Sequence, residues 1–414
     1  MSIAKTSLDF INHFFPLVED NIDVLTKNTI EDKLKKFHIK LIQSDNFYDS
    51  YKRKIKNESV VIKDKFYLSE RFKLIKSGNY IPSIIHKEIK KVNFNEIYYF
   101  QIKNIDFQIH FVSEKKYSTE YLNKKIERII KMIHLLLLFH RDEMLKAINI
   151  LLFLTDKKKE LPNKKNMIVN ENNVNTAVTF SCSENGEIFL YRDEESFKVL
   201  IHELLHSMCY DFSSLNTTLN LKNEVLKMFN VNSKFYLGEA YAEFWANIIN
   251  TTIMSYELLK NKTDFEDFTH NFKILNLFER MFSIFQCIKF LDYMGLKYTD
   301  IISKEKKVKN KALSIYREDT NVFAYHILKM VWLFNTESFI NWFDKNNQNL
   351  IYSEKTHNYI GKILKKTKNH YNEDLLIQLI EHIEKFHINS KKYKHDNESI
   401  KKLITNARMC LFDN

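Results

Sequence analysis

SFKVLIHELLHSMCYDF, residues 196–212, is the stretch that decides how the chain reads. Within it His202, Glu203 and His206 form an HExxH. Residues four apart on a helix stand one turn above each other on the same face, so both imidazoles can converge on one ion. Glu203, one step round from His202, then faces the space beside that ion. A zinc ion held by neutral imidazoles keeps a position open for water and lowers that water's pKa, and a neighbouring carboxylate can take the proton. Phe197, Leu200, Ile201, Leu204 and Met208 recur at helical spacing, which predicts an amphipathic helix facing the core. Asp193, Glu194 and Glu195 precede it and are expected to cap the helix and place acids in its first turn.

Zinc requires a third protein ligand. Downstream, YLGEAYAEFWANII begins at Tyr236 and places Glu239 and Glu243 one turn apart among Ala and aromatic residues. Carboxylates on so apolar a helix are expected to be paired or metal-bound. One can ligate zinc while the other accepts a hydrogen bond from a ligand histidine.

HELLH followed some thirty residues later by ExxxE resembles the gluzincin group of zinc metallopeptidases. EAYAEFWA is similar to the glutamate-ligand helix of lethal-factor-like and other gluzincin peptidases. The resemblance covers residues 170 to 250. It implies His202, His206 and Glu239 as ligands of Zn2+, Glu203 as general base, and Glu243 as the partner of a ligand histidine. Many gluzincins have Asp where Glu243 stands. The resemblance also implies a zincin-like core: a twisted mixed sheet above the metal helix, with substrate backbone adding to an edge strand. That edge is expected near TAVTFS (residues 176–181) or EIFLYR (residues 187–192). Gluzincins commonly stabilise the oxyanion with a Tyr or His from the C-terminal lobe. Tyr325 and His326, in TNVFAYHILKMVWLF, are the candidates, with Tyr236 and Tyr241 as alternatives.

The rest of the chain reads as α+β. Its 414 residues suffice for a large core, and 44% hydrophobic content excludes general disorder. Five Gly and three Pro argue against a turn-dense all-β fold and for long helices. Residues 1–91 read as a helical N-terminal region, with Leu8, Ile11, Phe14 and Phe15 on one apolar face and a longer helix from Asp20 to Gln43. Residues 92–210 form the lobe with sheet and HExxH helix. Here IYYFQIK and DFQIHFVS alternate as a hairpin around Asn104 and Ile105. STEYLNKKIERIIKMIHLLLLF is a helix, INILLFLT a strand, and Asn185–Gly186 a hairpin turn. Residues 211–414 form a helical lobe carrying the third ligand, with segments at 265–292, 320–334, 338–344 and others towards the C-terminus.

The formal charge of +11 is almost all lysine, and Asn and Ile are plentiful, as an AT-rich genome such as that of a large DNA virus produces. A nucleic-acid surface more often uses Arg with aromatic platforms, so a protein or peptide substrate is expected rather than nucleic acid. Cys182, Cys209, Cys287 and Cys410 lack CxxC spacing, which predicts no disulfide and a reducing compartment. No signal peptide is visible and IIKMIHLLLLF is too short to span a bilayer, so a cytoplasmic location is expected, in a host cell or virion if the source is viral. Two rival classes stand beside the peptidase: a zincin-fold binding or structural protein without catalysis, and a basic nucleic-acid-associated protein with an incidental HExxH.

Overall fold

A six-stranded mixed sheet carries the site, in the order β1-β2-β3-β4-β6-β5. The computed structural model describes residues 4–25, 29–78, 81–139, 144–164, 167–211, 218–346, 373–393 and 398–412. The strands are β1 (Lys56–Val61), β2 (Phe94–Ile102), β3 (Ile105–Ser113), β4 (Ala147–Thr155), β5 (Ala177–Thr179) and β6 (Asn185–Arg192). β1, β2 and β3 run antiparallel in turn, β4 lies parallel to β3, β6 parallel to β4, and β5 antiparallel to β6. A parallel pair needs a crossover, and the helix Thr119–Phe139 supplies it between β3 and β4.

Period-two alternation assigns each strand residue to a face. In β4, Ile148, Ile150 and Leu152 join the main core with that crossover helix, while Leu151 and Phe153 point the other way. In β6, Ile188 and Leu190 divide from Phe189 and Tyr191 in the same manner. The second face is covered by Leu68, Phe72, Leu74, Ile85 and Ile89 from the N-terminal region. With both faces covered, β4 and β6 are near-continuous runs of apolar residues.

Several expectations are corrected. The N-terminal region is not wholly helical, because its residues 56–61 pair along β2 as an edge strand. The helix expected from Asp20 to Gln43 is two helices, Lys5–Leu25 and Glu31–Tyr51. Ile30 has left helical geometry (φ −124°, ψ 19°), and Glu31 and Asp32 open the second helix, where its dipole favours acids. The first helix buries Phe10 and Phe14, whereas Leu8 and Phe15 face solvent. The β2–β3 turn is Lys103–Asn104, both left-handed as a two-residue hairpin requires, and Ile105 is a core residue. Asn185–Gly186 is not a turn. It opens β6, paired with Ala147 and Ile148, and the chain reverses before it. Gly186 is small for a packing reason: a Cβ there would stand 2.4 Å from Ser207 Oγ on the HExxH helix.

Among the described residues of the C-terminal half, the long helices are Leu237–Glu257, Phe265–Tyr293 and Glu373–Tyr393. A segment wound as a π-helix, Phe323–Leu328, runs on as Lys329–Phe334, and Thr336–Asn346 follows. Part of the stretch expected to be helical towards the C-terminus, residues 347–372, lies outside the described residues. No helix among the described residues is long and apolar enough to cross a membrane.

Candidate metal centre

The HExxH stretch forms the helix Ser196–Ser207, buried along its whole length against β5, β6 and the helix Leu237–Glu257. Its N-terminus departs from expectation. Glu195 sits at the cap with φ 60°, no side chain caps the helix, and no acid lies in its first turn. The reason is that both glutamates are engaged elsewhere. Glu194 accepts from the Lys159 backbone, and Glu195 accepts from Lys159 Nζ and from the amides of Met409 and Cys410.

At the other end, Cys209 takes a left-handed conformation (φ 60°) and Tyr210 N–H reaches back to Leu205. This is the usual way a helix reverses its chain. The reversal carries Asp211 underneath His206, where its Oδ2 lies 2.5 Å from Nδ1. Cys209 is also bonded to Cys182, so the expectation of no disulfide is overturned. The fold brings together two cysteines 27 residues apart, at the reversal before β6 and the end of the helix. Spacing in the sequence carries no sign of such a pair. Cys287 and Cys410 are buried and not disulfide-bonded. With Cys182 and Cys209 bonded, the cysteines do not speak for a reducing compartment.

His202 Nε2, His206 Nε2 and Glu239 Oε2 converge: 3.0 Å between the two nitrogens, 3.1 Å from His202 to the carboxylate and 3.3 Å from His206. The outward-facing Nδ1 atoms each meet a second acid. Asp211 takes that of His206, and Glu243 Oε2 lies 3.1 Å from that of His202, out of line with the ring N–H. With the Nδ1 positions carrying the protons, three lone-pair atoms point at one spot. That arrangement is repulsive unless a cation stands between them. Zinc ligands at about 2.0–2.1 Å in a tetrahedron are about 3.3 Å apart, so the three atoms are spaced as a metal would require. Among the described residues this is the group of His, Cys, Asp or Glu that could hold a metal.

Without the ion, protons answer the same crowding. Burial opposes a charge on His206, yet Glu239 and Asp211 hold its pKa well above the ordinary value. Burial likewise opposes ionisation of Glu239, yet His206 and His202 keep its carboxyl well below the usual range. Glu203 differs. Burial pushes its pKa up, and the pull of both histidines does not fully offset this. Its carboxylate makes no hydrogen bond to the described residues, and it lines the same cavity as His202, His206 and Glu239.

That cavity measures about 610 Å³. One wall contains Thr176 to Thr179, including β5, which is one edge of the sheet. Of the two edges expected, TAVTFS is therefore the exposed one, and EIFLYR lies between β4 and β5. The facing wall contains Asp319, Asn321 and Tyr325. Tyr325 Oη donates to Glu239 Oε2 at 3.1 Å. His326 does not line the cavity. Its ring stacks on Phe290 at 3.9 Å, fully buried, with neither nitrogen hydrogen-bonded. Tyr236 and Tyr241 do not line it either, and Tyr241 packs against Phe343. Asp211 was legible in the quoted stretch as an acid ending an apolar helix, but nothing in the sequence announces the reversal that turns it towards His206. Compared with known proteins, the chain matches no family model, no curated protein and no solved structure.

Proposed function

We propose that this chain is a zinc-dependent metallopeptidase built on a zincin-like core. The observation that carries this reading is the convergence of His202, His206 and Glu239 at tetrahedral spacing. Two nitrogens and one carboxylate oxygen form a donor set that suits zinc and leaves a coordination position open. What the ion supplies when bound is Lewis-acid polarisation of a carbonyl and a water molecule of lowered pKa.

The chain's residues supply the rest. Glu203, buried beside the ligands and raised in pKa, takes the proton from the attacking water. The water oxygen bonds to the peptide carbonyl carbon, the C–N bond breaks, and Glu203 delivers its proton to the departing amine. Tyr325, across the cavity from the HExxH helix, donates a hydrogen bond to the developing oxyanion. The free side of β5 pairs with an extended substrate backbone, a mode for which the edge position is suited.

Metal content of purified wild type beside His202→Ala and Glu203→Gln tests the reading, together with cleavage of a mixed peptide library. About one zinc per chain is expected in wild type and Glu203→Gln, with loss in His202→Ala and cleavage by wild type alone. Absence of zinc from a folded, metal-supplied wild type overturns it, as does cleavage surviving Glu203→Gln.

A further inference from the structure

Behind the three proposed ligands lies a second buried layer, one helical turn away. Lys198 precedes His202 by four residues, Glu243 follows Glu239 by four, and Lys329 follows Tyr325 by four. The helices bearing His202 and Glu239 and the segment bearing Tyr325 thus each present a residue at the proposed metal site and another one turn away. In that second layer Lys198 Nζ donates to Glu243 Oε1, and Lys329 Nζ stands 3.8 Å from the same oxygen. The other oxygen, Oε2, faces His202 Nδ1 at 3.1 Å. Side-chain exposure is 1% for Lys198, 1% for Glu243 and 0% for Lys329.

Lysine is almost never buried so completely without a purpose or a partner. A buried ion pair adds little net stability over well-packed apolar groups of the same size, so packing alone is a weak account of two cations against one carboxylate. The geometry offers a stronger one. A carboxylate gripped at one oxygen is held in place, and its second oxygen stays 3.1 Å from His202 Nδ1, an electrostatic contact out of line for a hydrogen bond. Lys329 is held in place by donating to the backbone carbonyl of Met409. Residues 409–412 are in turn tied by their amides to Glu195, at the start of the HExxH helix, and to Glu279.

We propose that Lys198 and Lys329 are positioning residues for His202, acting through Glu243. The inference rests on the metal-site reading above. Lys198 fixes the carboxylate, the carboxylate keeps the Nδ1 face of His202 occupied, and Nε2 is thereby presented to the metal with its lone pair free. Lys329 supports the same oxygen from the opposite helix.

The test is zinc affinity by chelator competition on the full chain, for wild type, Lys198→Met, Lys329→Met, Glu243→Gln and the Lys198→Met/Glu243→Gln double variant. Cobalt-loaded samples give a second readout in their visible bands, which report ligand geometry. Lys198→Met and Glu243→Gln should each weaken zinc binding by about 10–100-fold, Lys329→Met by less, and the double variant no more than Glu243→Gln alone. The cobalt bands of Lys198→Met should match those of Glu243→Gln. Wild-type affinity in folded Lys198→Met, or losses that multiply in the double variant, would overturn the inference while leaving the metal site standing. A wild type that binds no zinc removes both. Should Lys198→Met fail to fold, Lys329→Met decides, since it leaves the Lys198–Glu243 pair intact and unchanged affinity there refutes the layer's role.

Discussion

Tyr325 and Glu239, 86 residues apart in the chain, meet through one 3.1 Å hydrogen bond from phenol to carboxylate. The bond places a donor from one wall of the cavity against a proposed ligand on the other. Tyr325 lines the cavity, whereas its neighbour His326 is stacked on Phe290.

Tyr325→Phe should therefore keep zinc and lower kcat by about 10²-fold or more, the usual cost of an oxyanion donor. His326→Leu should leave kcat unchanged and not lower thermal stability, because it removes two buried ring nitrogens that have no hydrogen-bond partner. Steady-state kinetics and melting curves check both. Equal losses of activity from the two variants would contradict the assignment.

Gly238 is packed against the acid that orients His206. A Cβ there would come within 2.8 Å of Asp211 Oδ2 and 2.4 Å of the Tyr236 ring. Gly238→Ala should displace Asp211 and weaken zinc binding about 10-fold or more, and Asp211→Asn should do the same without the steric cause. Chelator competition measures the loss. An unchanged affinity in both would show that Asp211 is not needed behind His206.

Glu318 predicts a pH dependence of stability. It accepts from Tyr316 Oη at 2.8 Å and the Phe323 amide at 2.6 Å, and from Ser233 Oγ, at the base of the segment bearing Tyr325. Burial pushes its carboxyl up to about 7 despite these donors. A raised acid binds more protons folded than unfolded between the ordinary carboxylate pKa and 7. Its stabilising contribution is thus full below the ordinary value and lost as pH rises through the folded one, at up to about 1.4 kcal/mol per pH unit. Glu318→Gln should flatten that part of the profile of melting temperature against pH. A wild-type slope surviving in the variant would point to another group.

The Cys182–Cys209 bond closes a loop with a sequence separation of 27. Its removal by Cys182→Ser should cost about 2–4 kcal/mol of stability, chiefly by freeing the unfolded chain. Denaturant melts of oxidised wild type against the variant measure this. A difference below about 1 kcal/mol would contradict this contribution of the bond.

Local periodicity decided much of this molecule. The helical spacing in residues 196–207, the ExxxE of Glu239 and Glu243, the alternation in β2 and β3, and the apolar run of β4 each express a constraint between residues a few positions apart. What periodicity could not reach were relations between distant segments. Asn185–Gly186 has the composition of a turn, but β6 needs that glycine where Ser207 approaches. Asp211, Lys198, Lys329 and the 182–209 disulfide acquire their partners only when helices and sheet pack, because each partner lies on another element or beyond a chain reversal. The amino-acid sequence by itself determined which helices carry the proposed metal ligands. Tertiary structure decided which acids stand behind them and which tyrosine faces the cavity, because the close approach of elements far apart in the chain sets those contacts.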